Sequence, residues 1–140
     1  TRCVELALAA KIAVVPSEFA ERGPRRLLNL GHTLGHALEA HSGYTLPHGH
    51  AVARGLHFAI DVAERDGHLS RVHAERGRQL LARYGFGAER LPPLDALDPF
   101  LRRDKKATGD GVHFVVPTAI GASASVRTTW TVLAAALAAR

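Results

Sequence analysis

Apolar residues recur along this chain at helical rather than strand spacing over most of its length. From Val4 to Val15 the sequence is Ala-rich and apolar, broken only by Glu5 and Lys11 and closed by Pro16, a pattern that predicts a buried or half-buried helix. Ser17 to Gly23 is a polar connector. Pro24 occupies a first-helical position, and Leu27, Leu28, Leu34 and Leu38 then predict one long helix to about Ala40. Gly31 and Gly35 lie inside that pattern; each costs about 1 kcal/mol relative to Ala in a helix, which suggests close approach of another backbone or a ligand.

After a loop from Ser42 to His48, Ala51, Leu56, Ala59, Ile60 and Ala63 predict a third helix from about Gly49 to Arg65, stopped by Asp66-Gly67. Ser70 is the expected cap of a fourth helix reaching Tyr84, with Gly85 as its stop. Asp98-Pro99 suggests a cap and first residue of a short helix to about Lys106. Val112–Val116 and Ala124–Thr128 have strand character and predict a hairpin joined through Pro117–Ser123. Trp130 to Ala139 predicts a closing helix. The expected fold is therefore mainly α: a single multi-helical domain over residues 1–140 with one small β-hairpin near the C-terminus.

Composition narrows the class. With 46% hydrophobic and 22% charged residues, 140 residues can bury a core without disulfides or metal staples, and a disordered tail is excluded. Cys3 stands alone, so no intrachain disulfide forms and a cytoplasmic setting is expected. No apolar run approaches the ~18 residues of a membrane span. The absence of methionine leaves the initiator out of view, as in a processed chain or a piece of a longer one. A formal charge of +5 favours anionic partners. The basic residues are scattered and aromatics are few, with neither a zinc-finger nor an RNA-binding signature, so a small anion such as a phosphate ester is expected rather than nucleic acid. No Gly-rich loop follows a strand, so the chain carries no dinucleotide fingerprint.

The densest chemical signal is Gly31-His32-Thr33-Leu34-Gly35-His36, followed by His48-Gly49-His50. On a helix, His32 and His36 share one face about 6 Å apart along the axis, and a twelve-residue excursion can return His48 beside them. Neutral imidazoles from two neighbouring helices suit zinc or a similar divalent ion; an ordinary surface or core pair of histidines has the same spacing. Thr33 stands where a metalloprotease would place glutamate, so that class is excluded. Arg25, Asn29, His32 and His36 follow at steps of four, three and four. They form one stripe, which is either a solvated face or the wall of a polar substrate site where Arg25 grips an anion. The cluster Arg102-Arg103-Asp104-Lys105-Lys106, taken alone, is a solvated helix end.

Together these residues resemble a known family. Arg25-Arg26-Leu27-Leu28-Asn29-Leu30-Gly31-His32-Thr33-Leu34-Gly35-His36-Ala37, followed by His48-Gly49-His50-Ala51-Val52-Ala53, is similar to the C-terminal helical domain of the 3-dehydroquinate synthase family. Lys11, Glu18, Glu21 and Gly23 extend the likeness upstream, and Asp104-Lys105-Lys106 with Gly111 to Pro117 and Ile120-Gly121 extend it downstream. The resemblance implies a lyase of the shikimate pathway in aromatic amino acid biosynthesis. It converts 3-deoxy-D-arabino-heptulosonate 7-phosphate to 3-dehydroquinate and phosphate, using NAD and a divalent metal, zinc or cobalt. It implies His32 and His48 as metal ligands, His36 and Glu21 as proton-handling residues, and Lys11, Arg25, Asn29 and Lys105 as substrate-binding residues.

The resemblance further implies that NAD is held mainly by an N-terminal half that also supplies a third metal ligand, a glutamate. This sequence contains neither, so the chain alone is expected to be inactive. A homodimer, a small sugar-phosphate substrate, and no nucleic-acid or membrane partner are also expected. Two alternatives stand beside it: a related sugar-phosphate cyclase of secondary metabolism, and a stand-alone metal-binding helical module without catalysis. His50 replaces a glutamate common in the family, either as a substitute ligand or as a solvent-facing side chain; Ser17 replaces a common acidic residue, to which no function is attached.

Overall fold

The computed structural model describes residues 2–14, 23–101, 107–108 and 111–138. Among the described residues six α-helices run in chain order: α1 (Arg2–Val14), α2 (His32–His41), α3 (His48–Arg65), α4 (Arg71–Arg83), α5 (Leu94–Leu101) and α6 (Trp130–Ala138). A 3-10 helix, Gly23–Asn29, precedes α2, and β1 (Ala107–Thr108), β2 (Gly111–Ala119) and β3 (Ala122–Thr129) precede α6. The predicted hairpin is β2–β3, turned more tightly than expected at Ile120-Gly121. The two-residue β1 adds an antiparallel edge strand, giving the order β1-β2-β3.

The core forms where α2 and α3 pack as a helical hairpin and are covered by α5, α6 and one face of the sheet. Leu34, Phe58, Val62, Leu97, Val112, Phe114, Val116 and Leu133 are its largest fully buried apolar side chains. Phe58 of α3 meets Phe114 of β2 edge to face, with ring centroids 5.8 Å apart, so the hairpin seats directly on α3. α4 joins through Ala74 and Leu81, which pack on the core, and through charge. Arg78 Nη2 donates to Asp61 Oδ1 at 2.7 Å and Glu64 Oε2 at 2.5 Å, both on α3. Burial is the largest single effect on Arg78 and disfavours its charge. The hydrogen bonds and charges of Glu64 and Asp61 together outweigh it and raise the guanidinium pKa. A cation whose folded pKa is raised contributes stability that is fully present below its unfolded pKa, so a rise in pH does not remove this contribution until strong alkali. Arg78→Ala is expected to lower unfolding free energy by about 1–2 kcal/mol, measured by urea titration.

The structure corrects three expectations. The stretch Pro24 to Ala40 is not one helix. It breaks at Leu30-Gly31, where Gly31 takes φ +78° and begins α2 as its N-cap, so Arg25 and Asn29 lie on the 3-10 helix and the proposed stripe is divided between two elements. Glycine is required at the break by both its positive φ and its neighbours: a Cβ on Gly31 would stand 2.9 Å from the Leu56 backbone nitrogen of α3. Second, α1 is exposed along its described side chains, Val4, Leu6, Leu8 and Ile12 included. Ala and Leu favour the helix, but no described element covers its apolar side chains. Third, α5 begins at Leu94 and carries Pro99 in its last turn, where the missing N–H forfeits a single helical bond. Its expected end at Lys106 lies outside the described residues.

Candidate functional site

The site stands where the start of α2 and the start of α3 come together. Gly35 N–H donates to Gly31 O at 3.0 Å, closing the first turn of α2 and setting His32 on it. His36 follows one turn later and Glu39 three residues beyond, so His32, His36 and Glu39 lie along one face. The glycines permit this approach. Gly35 lies against Val52, and a Cβ on Gly55 would fall 1.9 Å from the Gly31 carbonyl oxygen, so α2 and α3 meet backbone to backbone.

A compact loop returns the chain. Ser42 Oγ donates to Glu39 O at 2.8 Å and accepts the Leu46 N–H, Thr45 Oγ1 donates to Ser42 O, and Tyr44 N–H donates to Glu39 O at 2.7 Å. Tyr44 takes φ 63°, a left-handed conformation that a bulky residue adopts only when its surroundings impose it. The loop delivers His48 as the first residue of α3.

The three imidazoles converge. Ring centroids are 5.5 Å apart for His32–His36, 5.5 Å for His32–His48 and 6.1 Å for His36–His48. His32 Nδ1 lies 3.1 Å from Leu30 O, and His48 Nδ1 lies 3.1 Å from Glu39 Oε1. An oxygen acceptor at Nδ1 selects the tautomer protonated there, with the lone pair on Nε2; metal-binding histidines are commonly oriented in this way. His36, Glu39 and His48 each offer a ligand atom within 4.8 Å of the others, a second donor set in the same place.

Glu39 was not singled out in the sequence, although its spacing of i+7 from His32 and i+3 from His36 marks the same helix face. His57 was also passed over. It is buried in α3, and its Nε2–H donates to Phe86 O at 2.8 Å, tying the segment after α4 to α3. Beside the histidines opens a cavity of about 360 Å³, with His32 and His48 at one side and Val52, Leu56, Tyr84 and Phe86 forming its apolar walls. His50 is exposed and its ring meets Phe86 edge to face at 5.3 Å, outside the imidazole cluster.

Of the remaining expected site residues, Lys11 is exposed on α1 and Asn29 is half-buried at the end of the 3-10 helix. The Arg25 backbone lies on the 3-10 helix, while its side chain falls outside the described set. Glu21 and Lys105 lie outside the described residues.

Residues 1–107, which hold the whole histidine cluster, match the family model described as 3-dehydroquinate synthase C-terminal. The chain belongs to this family. The 3-dehydroquinate synthase of Thermobifida fusca (strain YX) is 38% identical over 122 residues, which is 86% of this chain and 33% of the relative. That of Pseudarthrobacter chlorophenolicus is 42% identical over 114 residues, 81% of this chain and 31% of the relative. This member of the family therefore spans about a third of the length of those relatives.

Among solved structures, 2-deoxy-scyllo-inosose synthase complexed with carbaglucose-6-phosphate, NAD+ and Co2+ superposes with TM-score 0.80 at 20% identity, covering 96% of this chain and 39% of the other. A second structure of 2-deoxy-scyllo-inosose synthase gives TM-score 0.80 over 97% of this chain. At that identity the likeness carries the fold and not the substrate. No helix among the described residues is long and apolar enough to cross a membrane.

Proposed function

We propose that this chain is the metal- and substrate-binding part of a 3-dehydroquinate synthase that converts 3-deoxy-D-arabino-heptulosonate 7-phosphate to 3-dehydroquinate and phosphate. The observation that carries the reading is the convergence of His32, His36 and His48 within the span that matches the family. The curated relatives at 38% and 42% identity favour this substrate over that of the inosose synthase, whose likeness is one of fold.

The donor set fits a divalent ion. Two imidazoles with Nδ1 engaged by oxygen would present Nε2 from His32 and His48, and such ligands suit zinc or cobalt. When bound, the ion acidifies a substrate alcohol and eases transfer of its hydride to NAD. His36 is exposed beside both ligands and has no hydrogen bond among the described residues, which suits it to take a proton from substrate and return it. Glu21 is assigned to the same proton traffic. Arg25 and Lys105 are assigned to the carboxylate and phosphate, and Lys11 and Asn29 to the remaining polar groups; fixed cations stabilise phosphate as it leaves.

The apolar walls of the cavity would limit water beside a substrate held there. NAD is assigned to an N-terminal half of the complete enzyme, which would also supply the third metal ligand. Association as a homodimer in the cytoplasm completes the proposal, supported by the exposed apolar side chains of α1 and the lone Cys3.

The test is phosphate release from 3-deoxy-D-arabino-heptulosonate 7-phosphate with NAD and Zn2+ or Co2+. The 140-residue chain alone is expected to give only background, and the chain joined to the NAD-binding half of a 3-dehydroquinate synthase is expected to turn over. Full turnover by the chain alone, or none by the joined protein, overturns the assignment.

A further inference from the structure

We propose that Glu39 is a positioning residue: its carboxylate holds His48 in the Nδ1–H tautomer and aims the Nε2 lone pair into the space shared with His32. The inference rests on reading His48 as a metal ligand, and it assigns to Glu39 a role that differs from direct coordination.

Three observations carry it. The Glu39 side chain is 15% exposed whereas that of His48 is 58% exposed, so the carboxylate, not the imidazole, is the group withdrawn from water. Withdrawing a carboxylate is costly unless a partner compensates, and among the described residues the partner of the Glu39 carboxylate is His48 Nδ1, at 3.1 Å. The carboxylate is also fixed at its base. Glu39 O accepts from Ser42 Oγ and from Tyr44 N–H, so the loop that delivers His48 folds onto the residue that orients it.

His32 shows the same device with a different acceptor, the Leu30 carbonyl at 3.1 Å. Both imidazoles thus have Nδ1 against an oxygen acceptor, and for His48 this sets Nε2 as the coordinating atom. A carboxylate on the far nitrogen also increases the basicity of the ring toward a cation, which a backbone carbonyl does less strongly. In the alternative grouping of His36, Glu39 and His48, Glu39 itself would be a ligand.

Glu39→Ala and Glu39→Gln separate the two roles. The amide oxygen of Gln accepts the same Nδ1–H but is a poor ligand beside a carboxylate. Two readouts are taken on the full chain: the ring tautomer of His48 in the metal-free state, from two-bond 1H–15N correlations, and Co2+ affinity by calorimetry. Glu39→Ala is expected to lose the Nδ1–H preference and to bind Co2+ about 10–100-fold more weakly, while Glu39→Gln keeps the tautomer and recovers most of that affinity. A strut between α2 and α3 would move only the melting temperature. Equal loss in the Gln and Ala variants, or no change of tautomer in the Ala variant, overturns the proposal. If the wild-type chain takes up no Co2+, the functional reading fails, and the metal-free tautomer still decides the role of Glu39.

Discussion

Gly55→Ala will destabilise this domain by about 3 kcal/mol or more and will disturb the histidine site although residue 55 bears no functional group. In an exposed helix the same change stabilises by about 1 kcal/mol, because Ala loses less backbone entropy. Here sterics reverse the sign. The new Cβ would lie 1.9 Å from the Gly31 carbonyl oxygen and 2.8 Å from its carbon, separations no relaxed structure holds. The obstacle is backbone, so no rotamer change relieves it and α2 must move away from α3. Gly31 is the N-cap of α2 and immediately precedes His32, so the displacement passes straight into the cluster. A downward shift in melting temperature on the order of 10 °C is expected, together with weakened metal binding. Gly77→Ala is the control, since its Cβ would meet only the flexible end of Ile60 at 2.9 Å, and it should stay close to wild type. Equal melting temperatures for Gly55→Ala and wild type would remove the claim that a backbone contact sets the site.

That contact also explains why the α2 region misleads as a linear pattern. Leu27, Leu28, Leu34 and Leu38 satisfy helical spacing continuously, and Pro24 supplies a plausible start. Glycine is the one local hint that residue 31 can leave the helix; its left-handed turn stands where Val52 and Leu56 of α3 leave no room for a Cβ. The pair of glycines did signal a close approach, and the approaching backbone is α3.

Features set by neighbours in sequence were more legible. Ser70 caps α4 by accepting the His73 N–H, and α3 runs from His48 to Arg65 with Ala51, Ala59, Ile60 and Ala63 of its expected inner side buried and Leu56 half-buried. The burial of α1 could not be judged from its own composition, since an apolar helix is buried only if something covers it. The convergence of three histidines was legible from spacing plus a short loop. Glu39 was harder to see, because its meaning depends on the hydrogen-bonded turn of Ser42, Tyr44 and Thr45 that places His48 against it.

His32→Ala and His48→Ala should each reduce Co2+ or Zn2+ affinity by more than about a hundredfold, exceeding any effect at Glu39, because loss of a ligand outweighs loss of the group that orients it. His36→Ala provides the contrast. If His36 moves protons and does not bind the ion, its removal leaves affinity within a few-fold while phosphate release by the complete enzyme falls by about two to four orders of magnitude. If the ion instead uses the His36, Glu39 and His48 grouping, His36→Ala loses the metal and His32→Ala retains it. Calorimetry on the four proteins decides between the two donor sets without any assay of turnover. The geometry favours the first: His32 and His48 both have Nδ1 engaged by an oxygen, and His36 has no such anchor among the described residues. An unanchored imidazole can rotate and exchange protons, whereas a ligand is best held still. The partition of roles among three rings about 5.5–6.1 Å apart is thus set by what stands behind each ring.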